Sequence, residues 1–220
     1  LAIGTAVGSA SELGELATDG LDNNCNGIAD EPGGCMRRVP ARTPYIDQYE
    51  NTVYENPDCT GRRYGENGDD YPAGWPDDGV GGTVTLYACS VPGVRPSRSI
   101  SWHQARRACA AQGKHLCKKS EWATACAGPS VTQLCYGHSY NATICNTFSA
   151  GVGDTIPAGS KEGCVSDNGC YDMSGNLWEW TDDTCEWDTT RKNVQGGSYI
   201  CTYCDGDDCV PCDLDDPDQR

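Results

Sequence analysis

Apolar and polar positions alternate with a period of two in only two stretches of the chain, "TPYIDQYENTVY" and "TVTLYAC". Successive strand residues face opposite sides of a sheet, so this alternation predicts short β-strands. In "SISWHQARRACAAQGKHLC" the spacing becomes helical. Ser101 with Gln104 spells a capping box, Trp102, Ala105, Ala108 and Cys109 share one face, and Gly113 ends the helix. A second short helix is predicted in "SEWATACAG", closed by Gly128. From Cys35 to about Ser97 glycine and proline recur, as in "RYGENGDDYPAGWPDDGVGG", which predicts surface excursions around a small sheet. Beyond the second helix the chain returns to loops.

Residues 1–18, "LAIGTAVGSASELGELAT", carry no cysteine, aromatic or basic residue and cannot build a core alone. They read as an N-terminal tail. Its first eight residues are apolar and include β-branched side chains, which suits either a strand added to the sheet edge of a neighbouring subunit or a terminus that frays or folds onto its own domain. Four segments follow from composition: the tail, a loop motif at 19–35, a principal domain at 36–204, and an acidic, cysteine-rich segment at 205–220.

The 220 residues suffice for one medium domain with a short appendage. Apolar residues make up 37% of the chain, with six tryptophans and eleven tyrosines but one phenylalanine, so the core is thin in aliphatic side chains. Sixteen cysteines supply the missing rigidity if they are oxidised, which implies an extracellular or cell-surface chain whose export signal has been removed. No stretch approaches the roughly twenty apolar residues of a membrane span. A net charge of −16 argues against nucleic acid and anionic membranes as partners and favours divalent cations.

The segment "DGLDNNCNGIADE" places Asp22, Asn24 and Asn26 at alternate positions, with Gly27 next and Asp30 three further on. Oxygen-bearing side chains at this spacing face one side of a tight loop, and the glycine allows the turn that brings the Ile28 carbonyl onto an ion. Gly33 stands where an EF-hand places its bidentate glutamate, so the pattern resembles short one-sided calcium loops. An Asx-turn without metal is the alternative.

The run "GCYDMSGNLWEWTDD" followed by "VQGGSY" resembles the formylglycine-generating enzyme family, the sulfatase-modifying factors. "YIDQYENT", the helical pair "SISWHQARRACAAQGKHLCKKSEWATACAG" and "CNTF" match upstream in the same order, so the resemblance spans about residues 40–201. It implies an α+β fold low in regular secondary structure, of the C-type-lectin-like kind. On the residues themselves, Asp172 and Glu179 are carboxylates flanking "MSGNLW", whose Gly175 and Asn176 favour a turn. By resemblance Asp172, the Gly175 and Leu177 carbonyls and Glu179 hold calcium, and Asn146 with Asp154 are candidates for a second site. Trp178 and Trp180 read as core.

Catalytic members of the family are thought to bind copper(I) through two thiolates placed as C-x4-C after the GGS-aromatic run. Cys201 occupies the first position, but the second falls on Gly206, and Cys204 and Cys209 come too early and too late. Gln195 replaces the arginine before the glycine pair, and the acidic "DGDD" disfavours a thiolate. If the chain is an oxidase, Cys201 and Cys204 are its catalytic thiols. Cys201, Cys204, Cys209 and Cys212 also spell C-x2-C-x4-C-x2-C, a zinc-like spacing with too short a connector. Structural disulfides are preferred over copper and zinc, and such a module needs no free thiol. His103, His115 and His138 are scattered and suggest surface positions.

The preferred reading is a non-catalytic, calcium-stabilised, disulfide-stapled extracellular module with a structural or adhesive role. Its rival is a copper-dependent oxidase acting on a cysteine of a partner protein. Family chains run on to a further strand after the GGS-aromatic run, so an open sheet edge is expected here, covered by a second copy in a homo-oligomer or polymer. A glycan or protein ligand fits the adhesive role. The one N-x-[ST] sequon, at Asn141, is a glycosylation candidate.

Overall fold

The two alternating stretches become strands, and both predicted helices form. The computed structural model describes residue 1, Ala6–Gly8, Met36–Arg38, 45–185 and 189–200. In chain order its elements are β1 (Ala6–Gly8), β2 (Met36–Arg38), β3 (Tyr45–Asp47), β4 (Asn51–Tyr54), β5 (Arg63–Tyr64), β6 (Tyr87–Ser90), α1 (Trp102–Ala111), β7 (His115–Leu116), α2 (Lys119–Ala127), a 3-10 turn at Phe148–Ala150, β8 (Glu179–Thr184) and β9 (Lys192–Gln195). Most of the chain between these short elements is loop, as the glycine and proline spacing predicted.

Among the described residues the strands form three antiparallel sheets, β2-β3-β1-β7, β5-β4-β6 and β8-β9. Val7 lies opposite Ile46 on one side and His115 on the other, so residues 6–8 complete a sheet of their own chain. Within the single chain the tail thus takes the self-folded arrangement, β1 filling the one-strand gap between β3 and β7 by pairing with both.

Ser101 accepts a hydrogen bond from the Gln104 backbone while the Gln104 side chain accepts one from the Ser101 N–H, closing the expected capping box at α1. Its buried residues are Gln104, Ala105, Ala108 and Cys109. They pack with Val53, Tyr64, Trp75, Leu86, Ala88, Ile100 and Leu116 in the larger core cluster. Gln104 is buried because its amide donates to the Trp75 carbonyl and Asp77. A second cluster gathers Ile46, Trp122, Met173 and the cysteines at 117, 126, 135 and 170. Helix α2 ends at Gly128, whose φ of +60° a side chain would resist.

Disulfides Cys59–Cys89, Cys126–Cys135 and Cys145–Cys164 staple the loops, and Cys185 is also disulfide-bonded. Cys109 is not crosslinked. It is a buried thiol on the inner face of α1, and burial pushes its pKa up to about 12, which makes it inert packing. Among the described residues no helix is long and apolar enough to cross a membrane.

Candidate functional site

Three carboxylates that the sequence scatters over 130 positions come into one electrostatic neighbourhood. Glu50 lies between β3 and β4, Asp172 in the loop before β8, and Glu179 at the start of β8. All three are essentially inaccessible to solvent. Glu50 accepts from the Leu177 N–H at 3.1 Å and from Asn176 Nδ2. Glu179 accepts from the Trp122 indole at 2.9 Å, and Asp172 Oδ2 accepts from the Gly159 N–H at 2.6 Å.

Burial raises the Glu50 pKa well above the carboxylate range, and the charges of Asp172 and Glu179 raise it further against the opposing hydrogen bonds from Asn176 and Leu177. Asp172 is pushed up to about 6, chiefly by burial, against the Gly159 hydrogen bond and the Lys161 charge. Its other oxygen, Oδ1, is buried without a hydrogen-bond partner. A buried orphan of this kind costs free energy unless a proton or a cation answers it.

The backbone around these groups is held in unusual conformations. Asp172 and Asn176 have φ near +58° and +57°, and Gly175 has φ of +92°. A Cβ on Gly175 would stand 2.6 Å from the Asn146 carbonyl oxygen, so glycine is required for the close approach as well as for the turn. The Asn176 side chain holds the turn in place. Its Oδ1 accepts from Asn146 Nδ2 and the Ile156 N–H, and its Nδ2 donates to Glu50 and the Ile156 carbonyl. Strain maintained by so many contacts is what a ligand-holding turn requires.

Among the described residues, no hydrogen bond uses the Gly175 or Leu177 carbonyl. No group of three or more His, Cys, Asp or Glu side chains there converges on one metal-sized point. The oxygens this segment offers are the Asp172 and Glu179 carboxylates and the Gly175 and Leu177 carbonyls. Those are hard oxygen donors, suited to a hard cation.

Asp172, Gly175 and Leu177 lie in the loop before β8, and Glu179 opens that strand. The structure adds Glu50, which the sequence pattern missed. The only signal was its position in "YIDQYENT", where Asp47, Gln48, Glu50, Asn51 and Thr52 are all buried, which alternation alone does not foresee. Asn146 is next to the turn, and its Oδ1 is buried without a partner. Asp154 is placed differently. Its carboxylate faces Arg98 at 2.8 Å and Arg95 at 3.0 Å and accepts the Thr155 N–H. Its pKa stays low because these contacts outweigh what burial it has.

Trp178 and Trp180 are half-buried rather than core. Trp180 packs against the larger cluster and donates its indole N–H to the Ile100 carbonyl. His103, His115 and His138 lie at or near the surface, as expected. The loop motif of Asp22, Asn24, Asn26, Ile28 and Asp30 lies outside the described residues, as do Cys201, Cys204, Cys209, Cys212 and the acidic segment.

A family model described as the sulfatase-modifying factor enzyme 1-like domain matches residues 45–215. The chain belongs to this family. Among curated relatives of this sulfatase-modifying-factor domain, serine/threonine-protein kinase pkn1 of Chlamydia caviae is 35% identical over 102 residues, covering 46% of this chain and 16% of the kinase. Inactive C-alpha-formylglycine-generating enzyme 2 of Bos taurus is 30% identical over 49% of this chain and 39% of its own length. Formylglycine-generating enzyme of Mus musculus is 26% identical over 56% of this chain and 41% of its own length. The chain thus spans well under half of each of these relatives.

Proposed function

We propose that this sulfatase-modifying-factor domain is a non-catalytic, extracellular module with a structural or adhesive role, whose rigidity comes from disulfides and from calcium at the Asp172–Glu179 turn. The observation that carries this reading is the buried Asp172 Oδ1, which no hydrogen bond answers. Calcium is the cation of choice there because carboxylate and carbonyl oxygens are its preferred ligands and it is abundant outside cells. The Asp154 carboxylate is engaged by two arginines, so the proposal confines the ion to the Asp172, Gly175, Leu177 and Glu179 set. The C-type-lectin-like fold belongs to the same reading.

The disulfides support an oxidising compartment. The absence of catalysis rests on the spacing after "GGSY", where Gly206 replaces the second copper-binding thiol and Gln195 the arginine. A relative that carries the word inactive in its name is compatible with this. The competing reading is a copper-dependent oxidase acting through Cys201 and Cys204, and it is favoured by the active formylglycine-generating enzyme among the relatives.

Elemental analysis of the purified protein, paired with thermal melting before and after chelation, tests the proposal. Bound calcium and a lower melting temperature on chelation are expected. Stoichiometric copper, or a melting curve indifferent to calcium, would overturn it.

A further inference from the structure

The sequon at Asn141 lies apart from the cation turn, and its surroundings give it a second chemistry. The loop 136–144 is anchored at both ends by disulfide-bonded cysteines, Cys135 to Cys126 and Cys145 to Cys164. Between these fixed stems Ser139, Tyr140 and Asn141 form an unbroken exposed run. The Asn141 N–H donates to the Tyr136 hydroxyl, and the Ile144 N–H donates to the Asn141 carbonyl, closing a turn immediately after the asparagine.

Within that turn Asn141 Oδ1 accepts twice from Thr143, from Oγ1 at 2.8 Å and from the backbone N–H at 3.0 Å. These contacts fix the carboxamide by its oxygen. Its Nδ2 has no protein partner among the described residues, and the residue is exposed. The hydroxyl at the third sequon position is the group that distinguishes an acceptor asparagine from any other exposed one. Here it already touches the amide.

The surface beside the sequon is unusually apolar for this molecule. Tyr140 is 58% exposed and Phe148 64%, two of the six large hydrophobic residues exposed among those described. The Tyr140 hydroxyl lies 3.3 Å from Thr147 Oγ1, which places it beside the turn that carries Phe148. A saccharide attached at Asn141 would cover part of this surface, which is otherwise an association hazard.

We propose that Asn141 is the acceptor of an N-linked glycan. In the transfer, Nδ2 forms a bond to the anomeric carbon of a lipid-linked oligosaccharide, and the bond from that carbon to the pyrophosphate oxygen breaks. The lipid pyrophosphate leaves, and one Nδ2 proton passes to a base of the transferase. No oxidant or reductant takes part. The inference rests on the extracellular reading, because the chain must meet a transferase in an export compartment.

The test removes that dependence by imposing the route. The full chain is secreted from an N-glycosylating eukaryotic cell behind a cleavable leader, and its intact mass is read before and after peptide N-glycosidase. Most secreted molecules should lose a glycan mass, with Asn141 converted to aspartate in the released peptide. Asn141→Gln and Thr143→Ala should each abolish the modification while secretion persists, and Thr143→Ser should retain it. A secreted wild-type chain carrying no glycan at 141 would overturn the inference without bearing on the calcium reading, whereas a glycosylated chain that ignores calcium would overturn only the latter.

Discussion

Lys114 and Asp47 form an ion pair inside the protein, with Nζ 3.0 Å from Oδ1 and 3.1 Å from Oδ2 and neither side chain exposed to solvent. Asn51 Nδ2 also donates to Asp47 Oδ2, at 2.8 Å. The pair joins the end of β3 to the turn between α1 and β7, 67 residues away. Removing one member strands a buried charge. Lys114→Met should therefore lower the unfolding free energy by about 3 to 5 kcal/mol in urea denaturation. A loss below about 1 kcal/mol would mean that the pair is solvated in solution.

The buried carboxylates predict an inverted pH dependence for the calcium-free protein. Asp172 titrates at about 6 in the folded state, against about 3.9 in an unfolded chain. Glu50 is displaced in the same direction. The folded state then holds more protons than the unfolded one across this window. Stability from these groups is fully present below about pH 4 and is lost as pH rises through about 6. In chelator the melting temperature should fall between about pH 4 and pH 6.5, with Asp172 contributing roughly 2 kcal/mol over that interval. Asp172→Asn should flatten the trend, and a melting temperature that rises over the same interval would contradict it.

Two glycines with similar backbone angles should respond differently to substitution. Gly93 has φ of +74° and open space within 4 Å of where a Cβ would stand, whereas at Gly175, with φ of +92°, the Asn146 carbonyl oxygen would lie 2.6 Å from it. Gly93→Ala should cost about 1 kcal/mol for the backbone alone. Gly175→Ala should cost about 1 to 3 kcal/mol more, because a backbone atom must move. Equal costs in denaturant titration would show that the Asn146 contact relaxes freely.

What the sequence made legible was local. The Ser101 cap, the helix end at Gly128 and the strands around Ile46 and Val53 depend on neighbours within a few positions, and simple patterns report them. Asp172 and Glu179 were readable together because they stand seven positions apart in one segment. Glu50 was not, since it reaches Asn176 and Leu177 from 126 and 127 residues away. Its surroundings are polar yet buried, and period-two alternation fails where both faces of a strand are covered. Asp154 looked like a ligand until the fold set Arg95 and Arg98 against it. Cys109 was legible as an inward-facing helix residue, since helical spacing shows which way it faces but not whether another sulfur meets it there.

The staples should differ in strength according to the loops they close. Cys59–Cys89 spans 30 positions and Cys126–Cys135 spans 9. Replacing the first pair by alanine should cost about 1 kcal/mol more than replacing the second, on the entropy of the longer loop. Urea midpoints measured without reductant decide this, and a larger loss at Cys126–Cys135 would assign the stabilisation to packing in the second core cluster instead.

The central claim is that sulfur in this chain serves crosslinking rather than oxygen chemistry, and native alkylation without reductant, resolved by peptide mass spectrometry, tests it most directly. Cys201 should stay unlabelled in the folded protein, and Cys109 should label only after unfolding. Prompt labelling of Cys201 together with Cys204, suppressed by copper(I), would contradict the account.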